Sequence, residues 1–388
     1  MKRTVFSLLA AFALCVSAAA AGPAVSCPSA LLMEKQTGTV LFAQDEHTPR
    51  EPASVTKIMT LLLVMEAIDS GALSYDDVVT GSAHAAGMGG SQIWLKENEQ
   101  MTVRDLLKAV CIVSGNDAAV ALAEHLAGSE DAFVERMNAR AQELGMNDTH
   151  FVNCTGLPAE RHLTSAYDIA LMSRELILRH PDIRQFTTVW MDSLRGGESM
   201  LVNTNKLIRF YSGATGLKTG FTSGAGYCLS ASAMRDGMEL IAVVMGAETS
   251  QSRNAACKSL LDYGFANFAV VSPDLSDCDN RIPVRLGKDA GVSAVPEADM
   301  ALLIDKAQKS GVTSEVTLEP TVTAPVSRGQ RLGTLTVKSG DQVLKEVPLV
   351  AAQAVDRLSY GEIYRMVLMR AAMAKTDTPE TAKIPEKM

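Results

Sequence analysis

The sequence contains no Cys-x-x-Cys pair and no His-x-x-x-His pair, so the common spacings of a zinc site are absent. We therefore expect no metal and no other cofactor. Positive charge is also scarce, because 36 Lys and Arg residues stand against 44 Asp and Glu, for a net charge of −8. An acidic chain argues against a nucleic-acid-binding protein.

Beyond the first 21 residues there is no uncharged apolar run of about 18 residues, so no later membrane-spanning segment is predicted. The N-terminus itself resembles a signal peptide. Lys2 and Arg3 precede a short apolar run over residues 5–16, and small residues over 17–21 suit a cleavage site. We predict that residues 1–21 direct export to the outer face of the cytoplasmic membrane, the cell wall or the periplasm. An uncleaved anchor is the alternative.

The cysteines do not form an obvious disulfide framework. Of the seven, Cys15 lies in the predicted signal peptide, and the spacings of the other six are irregular. Cys111 and Cys228 lie in apolar runs, where a free thiol behaves as a small hydrophobic group. We expect mostly free, structural cysteines, and the sequence leaves their pairing open.

The most informative stretch is residues 52–71, an almost wholly apolar run between Pro52 and Gly71. This pattern predicts a buried central helix. Ser54 and Lys57 lie three apart at its start and therefore share one face. Burial favours the neutral amine of Lys57, which could then accept a proton from the Ser54 hydroxyl. A serine and a lysine that merely cap a helix remain the alternative.

Changes in composition divide the mature chain into three parts. Residues 25–271 alternate helical and strand patterns, including a hairpin formed by 227–234 and 238–246 and a closing helix over 252–267. Residues 272–352 contain short valine-containing runs between Gly, Pro and Asp, which predict a small all-β domain of the sandwich type. Residues 353–388 begin with a basic amphipathic helix, followed by a polar end.

Two further clusters follow the Ser54-Val55-Thr56-Lys57 motif in the chain, namely Ser114-Gly115-Asn116 and Lys218-Thr219-Gly220. Each is weak alone, but this order matches the three motifs of penicillin-binding proteins and serine β-lactamases. The surrounding residues resemble more closely the D-alanyl-D-alanine carboxypeptidases of the penicillin-binding protein 5 type. The stretches that carry this resemblance are residues 52–60, 89–92, 113–117, 203–205, 216–222, 226–229 and 261–265.

The resemblance implies an α/β (α+β) domain of the serine transpeptidase/β-lactamase type, with an antiparallel sheet flanked by helices. It also implies removal of the terminal D-alanine from a peptidoglycan stem peptide ending in D-Ala-D-Ala, with β-lactam antibiotics as covalent inhibitors. Ser54 would be the nucleophile, Lys57 its base, and Ser114 the group that passes a proton to the leaving D-alanine.

The remaining candidate residues would bind the substrate. Asn116 would hold its backbone, and Lys218 and Thr219 would lie on an edge strand beside the bound peptide. Gly220 would let that peptide approach closely. The backbone N–H groups of Ser54 and Phe221 would form the oxyanion hole, and Arg253 would bind the terminal carboxylate. An exposed helix arginine is the alternative for Arg253, and His162 is treated as structural.

Several other functions stay open at this point. A β-lactamase could use Glu143 in a near match to the Glu-x-x-Leu-Asn pattern, although Glu143 also fits a helix end. The same site could act as a D,D-endopeptidase, and a non-catalytic wall-binding protein would need no chemistry. The tail helix, with Arg357, Arg365 and Arg370 among apolar residues, favours binding to a membrane surface over docking on its own protein.

Overall fold

The computed structural model describes residues 22–273 and 280–374. The predicted signal peptide, Cys278 and the end of the tail therefore lie outside the described residues. The chain divides into two compact units. The N-terminal unit contains the described residues up to Met33 together with Val40–Met234 and Glu239–Gly264, and the C-terminal unit contains Glu34–Thr39, Arg235–Met238 and the described residues from Phe265 onward.

The strands of the N-terminal unit are β1 Ser29–Glu34, β2 Val40–Gln44, β3 Val78–Thr80, β4 Gln100–Thr102, β5 Met191–Leu194, β6 Ser199–Val202, β7 Ala214–Thr222, β8 Gly226–Arg235 and β9 Met238–Ala247. Five of them form one sheet in the order β2-β1-β9-β8-β7. The β7–β8 pair is antiparallel, and β7 lies at the sheet edge, where one side of its backbone can pair with an added strand.

The helices of this unit are α1 Lys57–Asp69, α2 Ala83–Ala86, α3 Val103–Lys108, α4 Asn116–Ala127, α5 Glu130–Glu143, α6 Ala166–Arg179, α7 Arg184–Thr187, α8 Leu207–Phe210 and α9 Ser250–Asn267. The predicted central helix is α1, which packs against α4 and α6. Ile58, Leu62 and Val64 are fully buried, as a helix that is apolar on all sides should be. A 3₁₀ turn over Ala53–Thr56 precedes it.

Two local features depart from a simple sequence pattern. Residues 102–113 keep a helical spacing of apolar residues, and this helix begins with a cap, since Thr102 Oγ1 accepts from the Asp105 N–H at 3.1 Å. However, it ends in a π-helical turn over Ala109–Val113. Residues 194–216 are rich in Gly, Ser and Asn, yet they contain strand β6, which pairs with β5. Strands of four residues are too short to give a periodic signal.

The C-terminal unit contains β10 Phe268–Val271, β11 Arg281–Arg285, β12 Gly291–Pro296, β13 Leu302–Asp305, β14 Val312–Leu318, β15 Val322–Thr323, β16 Arg331–Ser339 and β17 Gln342–Ala351, followed by α10 Tyr360–Ala374. Six strands form a sheet in the order β14-β16-β17-β12-β11-β15. Alternate residues such as Ile282 and Val284 are buried while Arg281 and Arg285 are exposed, which is the period of a half-buried strand. No helix among residues 22–273 and 280–374 is long and apolar enough to span a bilayer.

Candidate active site

Ser54 and Lys57 meet at the N-terminal end of α1. Ser54 lies in the 3₁₀ turn, and Lys57 is the first residue of the helix. The two side chains approach to 2.9 Å between Lys57 Nζ and Ser54 Oγ. The preceding residue, Ala53, has a φ of 47°, which is strained for a residue with a Cβ. Such strain is common where a reactive side chain must be held in one position.

Lys57 is fully buried and has two further polar neighbours. Its Nζ donates to Asn116 Oδ1 at 2.6 Å and to the Thr155 carbonyl at 2.7 Å. Burial lowers the pKa of Lys57 well below its usual value, and the nearby charge of Lys218 lowers it further. The structure therefore favours the neutral amine at this position.

The partners of Lys57 define the orientation of that amine. The Asn116 and Thr155 oxygens belong to carbonyl groups, which can only accept hydrogen bonds. A neutral amine has two N–H groups and one lone pair, and these two acceptors take both N–H groups. The lone pair is then left for the third neighbour, Ser54 Oγ. The geometry thus prepares Lys57 to accept the proton of the Ser54 hydroxyl.

Ser114 and Asn116 follow the π-helical turn. Ser114 has a φ of 67°, and its hydroxyl is buried without a hydrogen-bond partner among the described residues. Asn116 opens α4 and is held from two sides, because its Nδ2 donates to Gly89 O at 2.6 Å and its backbone N–H donates to Ser91 O at 2.7 Å. A buried hydroxyl without a partner is costly unless a ligand engages it.

Lys218 and Thr219 lie on the edge strand β7 and are both buried. Lys218 Nζ donates to Thr219 O at 2.9 Å, and Thr219 Oγ1 donates to Thr204 Oγ1 at 2.8 Å. Burial lowers the pKa of Lys218 to about 7, with a contribution from the charge of Arg253. Both the charged and the neutral form of Lys218 are therefore populated near neutral pH.

Gly220 has no room for a side chain, because the chain's own backbone lies against it. A Cβ at this position would lie 2.9 Å from Pro52 O and 3.1 Å from Ser54 N. The Pro52–Ser54 backbone is therefore one reason for a glycine here, and the close approach of a bound peptide stays a prediction. Phe221 comes next on β7, and its ring is 54% exposed and lies 4.3 Å, centroid to centroid, from Tyr227.

Arg253 is 5% exposed, so the alternative of an exposed helix arginine is wrong. It lies in α9, and its guanidinium donates to Asn254 Oδ1 at 3.1 Å and 3.0 Å. It also lies 5.9 Å from the centroid of the Tyr227 ring. Burial lowers the pKa of Arg253 from its usual value. A buried arginine beside Lys218 makes this part of the site attractive for an anion.

No functional motif marks the loop over residues 153–157, which supplies the Thr155 carbonyl. Asn153 Oδ1 organises this loop by accepting from Gly156 N at 2.7 Å and from Thr155 N at 3.2 Å. Gly156 has a φ of 82°, and a Cβ there would meet Ala53 O. The Asn153–Gly156 spacing is a turn signal that could have drawn attention to the loop, but a backbone carbonyl has no signature of its own.

His162 supports the 3₁₀ turn over Ala53–Thr56 through a hydrogen bond to Thr56. Its Nδ1 accepts from the Val152 N–H at 3.0 Å, so its proton lies on Nε2, which donates to Thr56 Oγ1 at 2.8 Å. Burial lowers the pKa of His162 to about 4, so the ring is neutral at physiological pH. This agrees with the structural part predicted for it.

Metal and disulfide chemistry have no visible basis in the part of the chain that the structure describes. No group of three or more His, Cys, Asp or Glu residues there could hold a metal ion. Cys27, Cys111, Cys154, Cys228 and Cys257 are free. Burial raises the pKa of Cys111 to about 12, which keeps its thiol protonated and unreactive.

An antiparallel sheet with helices, a Ser54–Lys57 pair whose lysine is buried and a Lys-Thr-Gly edge strand together indicate a serine hydrolase. Residues 16–249 match the peptidase S11 family, described as D-alanyl-D-alanine carboxypeptidase, and residues 277–357 match the C-terminal domain of penicillin-binding protein 5. The chain belongs to the peptidase S11 family and is a serine-type D-Ala-D-Ala carboxypeptidase.

Relatives with similar sequences and solved structures agree with this assignment. The D-alanyl-D-alanine carboxypeptidase DacF of Bacillus subtilis is 42% identical over 337 residues, covering 86% of each chain. Penicillin binding protein 5 of Haemophilus influenzae is 31% identical with a TM-score of 0.72, over 86% of this chain and 99% of that chain. Penicillin-Binding Protein D2 of Listeria monocytogenes, solved in the ampicillin-bound form, is 32% identical with a TM-score of 0.58, over 62% and 98%. The predicted family, fold class and activity are confirmed.

Proposed function

We propose that Ser54 attacks the carbonyl between the two D-alanines of a peptidoglycan stem peptide while Lys57 takes its proton. The observation that carries this proposal is the hydrogen bonding of Lys57. Its two N–H groups are committed to Asn116 Oδ1 and Thr155 O, and its Nζ lies 2.9 Å from Ser54 Oγ. Because burial lowers the pKa of Lys57, the neutral amine that can act as a base is favoured before substrate arrives.

The leaving D-alanine needs a proton as its C–N bond breaks. We assign this transfer to Ser114, acting with Lys218. The Ser114 hydroxyl is buried and uncommitted among the described residues, so it is free to bond to the leaving nitrogen. Lys218, with a pKa of about 7, is charged in part of the population at neutral pH and can restore the proton.

The negative oxygen of the tetrahedral intermediate would lie between the backbone N–H groups of Ser54 and Phe221. The close packing of Gly220 against Ser54 N supports this assignment, because it brings the two backbone segments together. A donor of this kind lowers the barrier by about 3 kcal/mol. Asn116 and Thr219 would hold the substrate backbone, and Arg253 would bind the terminal carboxylate.

Water then hydrolyses the acyl-enzyme and releases the shortened peptide. A β-lactam resembles the D-Ala-D-Ala bond and would acylate Ser54 in the same way. The ampicillin-bound form of the Listeria monocytogenes relative supports this expectation. A class A β-lactamase mechanism is less favoured, because Glu143 pairs with Arg140 at 3.1 Å and its side chain is 66% exposed at the end of α5.

The test is to incubate the purified mature protein with penicillin and map the adduct by mass spectrometry, with a Ser54→Ala variant as the control. We expect one label, on Ser54, and none in the variant. A label on another residue would overturn the assignment. D-alanine release from a pentapeptide, measured beside turnover of the same penicillin, separates the carboxypeptidase from a β-lactamase, which would turn over the penicillin rapidly and release no D-alanine.

We also propose the organisation of the chain in the cell. Residues 1–21 would be removed on export, leaving a catalytic domain over 25–271, a small β-sandwich domain over 272–352 and a tail over 353–388. The match of residues 277–357 to the C-terminal domain of penicillin-binding protein 5 supports a domain boundary near residue 272. Mass spectrometry of the secreted protein tests the removal of residues 1–21, because an N-terminus at Met1 would contradict cleavage.

The tail helix α10 would bind a membrane surface. Tyr360, Tyr364 and Val367 follow helical spacing and are 93%, 68% and 59% exposed. Arg365 and Arg370 add positive charge suited to anionic lipid. Truncation after Val355 should abolish binding to anionic liposomes, whereas an Arg365→Gln and Arg370→Gln double variant should weaken it mainly at low salt. Unchanged binding after truncation would refute the anchor.

A further inference from the structure

Trp94 combines two features that stability alone does not explain. It is one of only two tryptophans in the sequence, and it is 75% exposed. Its backbone has a φ of 59°, in the left-handed region that bulky side chains rarely adopt. The backbone is therefore strained at this position, while the indole ring buries little apolar surface that could offset the cost.

The backbone around Trp94 is held firmly in this conformation. The flanking N–H groups of Ile93 and Leu95 both donate to the fully buried carboxylate of Asp117, at 3.0 Å for the shorter Ile93 bond and 3.0 Å for Leu95. On the other side, the Arg195 guanidinium donates to Ile93 O at 3.0 Å. Arg195 is itself fixed by two hydrogen bonds to Glu99, at 2.6 Å and 3.1 Å.

The consequence of this bracing is that Ile93 and Leu95 point into the core while Trp94 points outward. Ile93 is 5% and Leu95 is 4% exposed. The ring is thus presented to solvent on a rigid backbone instead of on a mobile loop. A rigid aromatic with few rotatable bonds is a favourable contact surface, because little conformational entropy is lost on binding.

The location of this ring connects it to the active site. Ser91 O accepts from the Asn116 N–H at 2.7 Å, and Trp94 follows Ser91 by three residues. Three residues span at most about 11 Å, so the Trp94 backbone lies within about that distance of Ser91, which contacts Asn116. The N–H groups that flank Trp94 also bond to Asp117, the residue next to Asn116. In the proposed mechanism, Asn116 holds the acyl part of the substrate, so a substrate that extends beyond Asn116 is within reach of Trp94.

We propose that Trp94 is a stacking platform for the substrate upstream of its D-Ala-D-Ala end, which makes it a specificity-determining residue. This inference rests on the proposed function. The chemistry that suits an exposed indole face is a flat or extended surface rich in C–H groups. The stem peptide offers two sources of such a surface: the polymethylene side chain of its third residue and the sugar ring to which the peptide is attached.

The test compares three substrates of increasing upstream length: N-acetyl-D-Ala-D-Ala, diacetyl-L-Lys-D-Ala-D-Ala and a muramyl pentapeptide. D-alanine release is measured for the unmodified enzyme, Trp94→Ala and Trp94→Phe. Phe210→Ala, which removes another exposed ring of the N-terminal unit, is the matched control. We expect Trp94→Ala to lower kcat/KM about 10-fold for the substrates that reach the ring, and to leave the shortest substrate unchanged. Trp94→Phe should restore most of the loss.

The substrate on which the loss first appears identifies the source of the stacked surface. A loss with the lysine peptide indicates the side chain, and a loss confined to the muramyl pentapeptide indicates the sugar. Equal kcat/KM for all three substrates in Trp94→Ala and the unmodified enzyme would overturn the inference. So would an equal loss with the shortest one, since that would reveal distortion of the catalytic groups.

Fluorescence provides a readout that does not depend on turnover. In a Trp190→Phe, Ser54→Ala variant, Trp94 is the single tryptophan. Its emission should shift to shorter wavelength when muramyl pentapeptide is added, and an unchanged spectrum at saturating peptide would contradict stacking. If the unmodified enzyme released no D-alanine at all, the proposed function would fail, and this titration would still decide the role of Trp94.

Discussion

Replacing Gly220 by alanine tests the central geometric claim, that the Lys-Thr-Gly strand and the nucleophile's turn are pressed together. The new Cβ would lie 2.9 Å from Pro52 O and 3.1 Å from Ser54 N, and both are backbone atoms. Ordinary contacts begin near 3.4 Å, so the overlap is 3.4 − 2.9 = 0.5 Å at the oxygen and 3.4 − 3.1 = 0.3 Å at the nitrogen. Neither atom can rotate away as the end of a flexible side chain could.

The displacement can be converted into a rate. The expected shift of a few tenths of an ångström is comparable to the tolerance of about 0.5 Å that a catalytic constellation allows. A misplacement of 1 Å costs about 100-fold in rate, and complete loss of an oxyanion donor costs about 3 kcal/mol. We therefore expect Gly220→Ala to slow acylation of Ser54 by about 10- to 100-fold, or about 1.4 to 2.7 kcal/mol of barrier.

The assay is the second-order rate constant for acylation by a fluorescent penicillin, measured beside urea unfolding. Gly89→Ala is the matched control, because a Cβ at Gly89 would meet nothing within 4 Å. Its carbonyl would still accept from Asn116, so its rate should be nearly unchanged. An unimpaired acylation rate in Gly220→Ala would refute the argument that this contact positions Ser54 N.

Three further predictions concern groups around the reacting atoms. The pKa of His162 falls from an ordinary 6.5 to about 4 in the folded chain. As pH falls, the imidazole of the unfolded chain is therefore protonated before that of the folded chain. About 3 kcal/mol of folding free energy is lost as pH falls from 6.5 to 4. Urea unfolding measures this loss, which should be smaller in His162→Gln. Glu130→Ala should slow penicillin acylation about 10-fold because the Cys154 N–H loses its acceptor beside Thr155, whereas Glu130→Gln should not. Arg253→Gln should raise KM for D-Ala-D-Ala peptides about 10- to 100-fold, with little change for an amide-capped peptide.

Helices and strands with a clear pattern of apolar residues could be predicted from the sequence. The apolar run after Pro52 became α1, and the runs on either side of residues 235–237 became β8 and β9. In the C-terminal unit, the valine-containing runs correspond to β11, β14, β16 and β17, whereas β10, β12, β13 and β15 were missed. Tertiary pairing rather than local pattern determines these four segments.

Residues of the candidate site could be predicted from the sequence where their side chains take part in the chemistry. Ser54, Lys57, Asn116 and Lys218 belong to recognisable clusters, and the structure brings the first three within hydrogen-bonding distance of one another through Lys57 Nζ. Thr155 was missed because it contributes its carbonyl, and any residue type could do so. Its place depends on the turn that Asn153 stabilises.

Gly220 shows a different limit of sequence reasoning. The sequence predicts a glycine there for the close approach of a bound peptide, and the structure adds a cause that the sequence does not indicate, the Pro52–Ser54 backbone. A sequence pattern can indicate that a backbone approaches closely, but it does not indicate which other backbone is involved. The same holds for His162, whose link to Thr56 joins residues 106 positions apart in the chain.

The two buried lysines are best understood as one proton-handling unit. The charge on Lys218 helps to keep Lys57 neutral, and the pKa of Lys218 lies at about 7. At neutral pH, one amine is therefore an acceptor while the other is a donor in part of the population. A proton that leaves Ser54 for Lys57 can be matched by one supplied through Ser114 to the leaving D-alanine. In the proposed mechanism, acylation then needs no net exchange of protons with solvent.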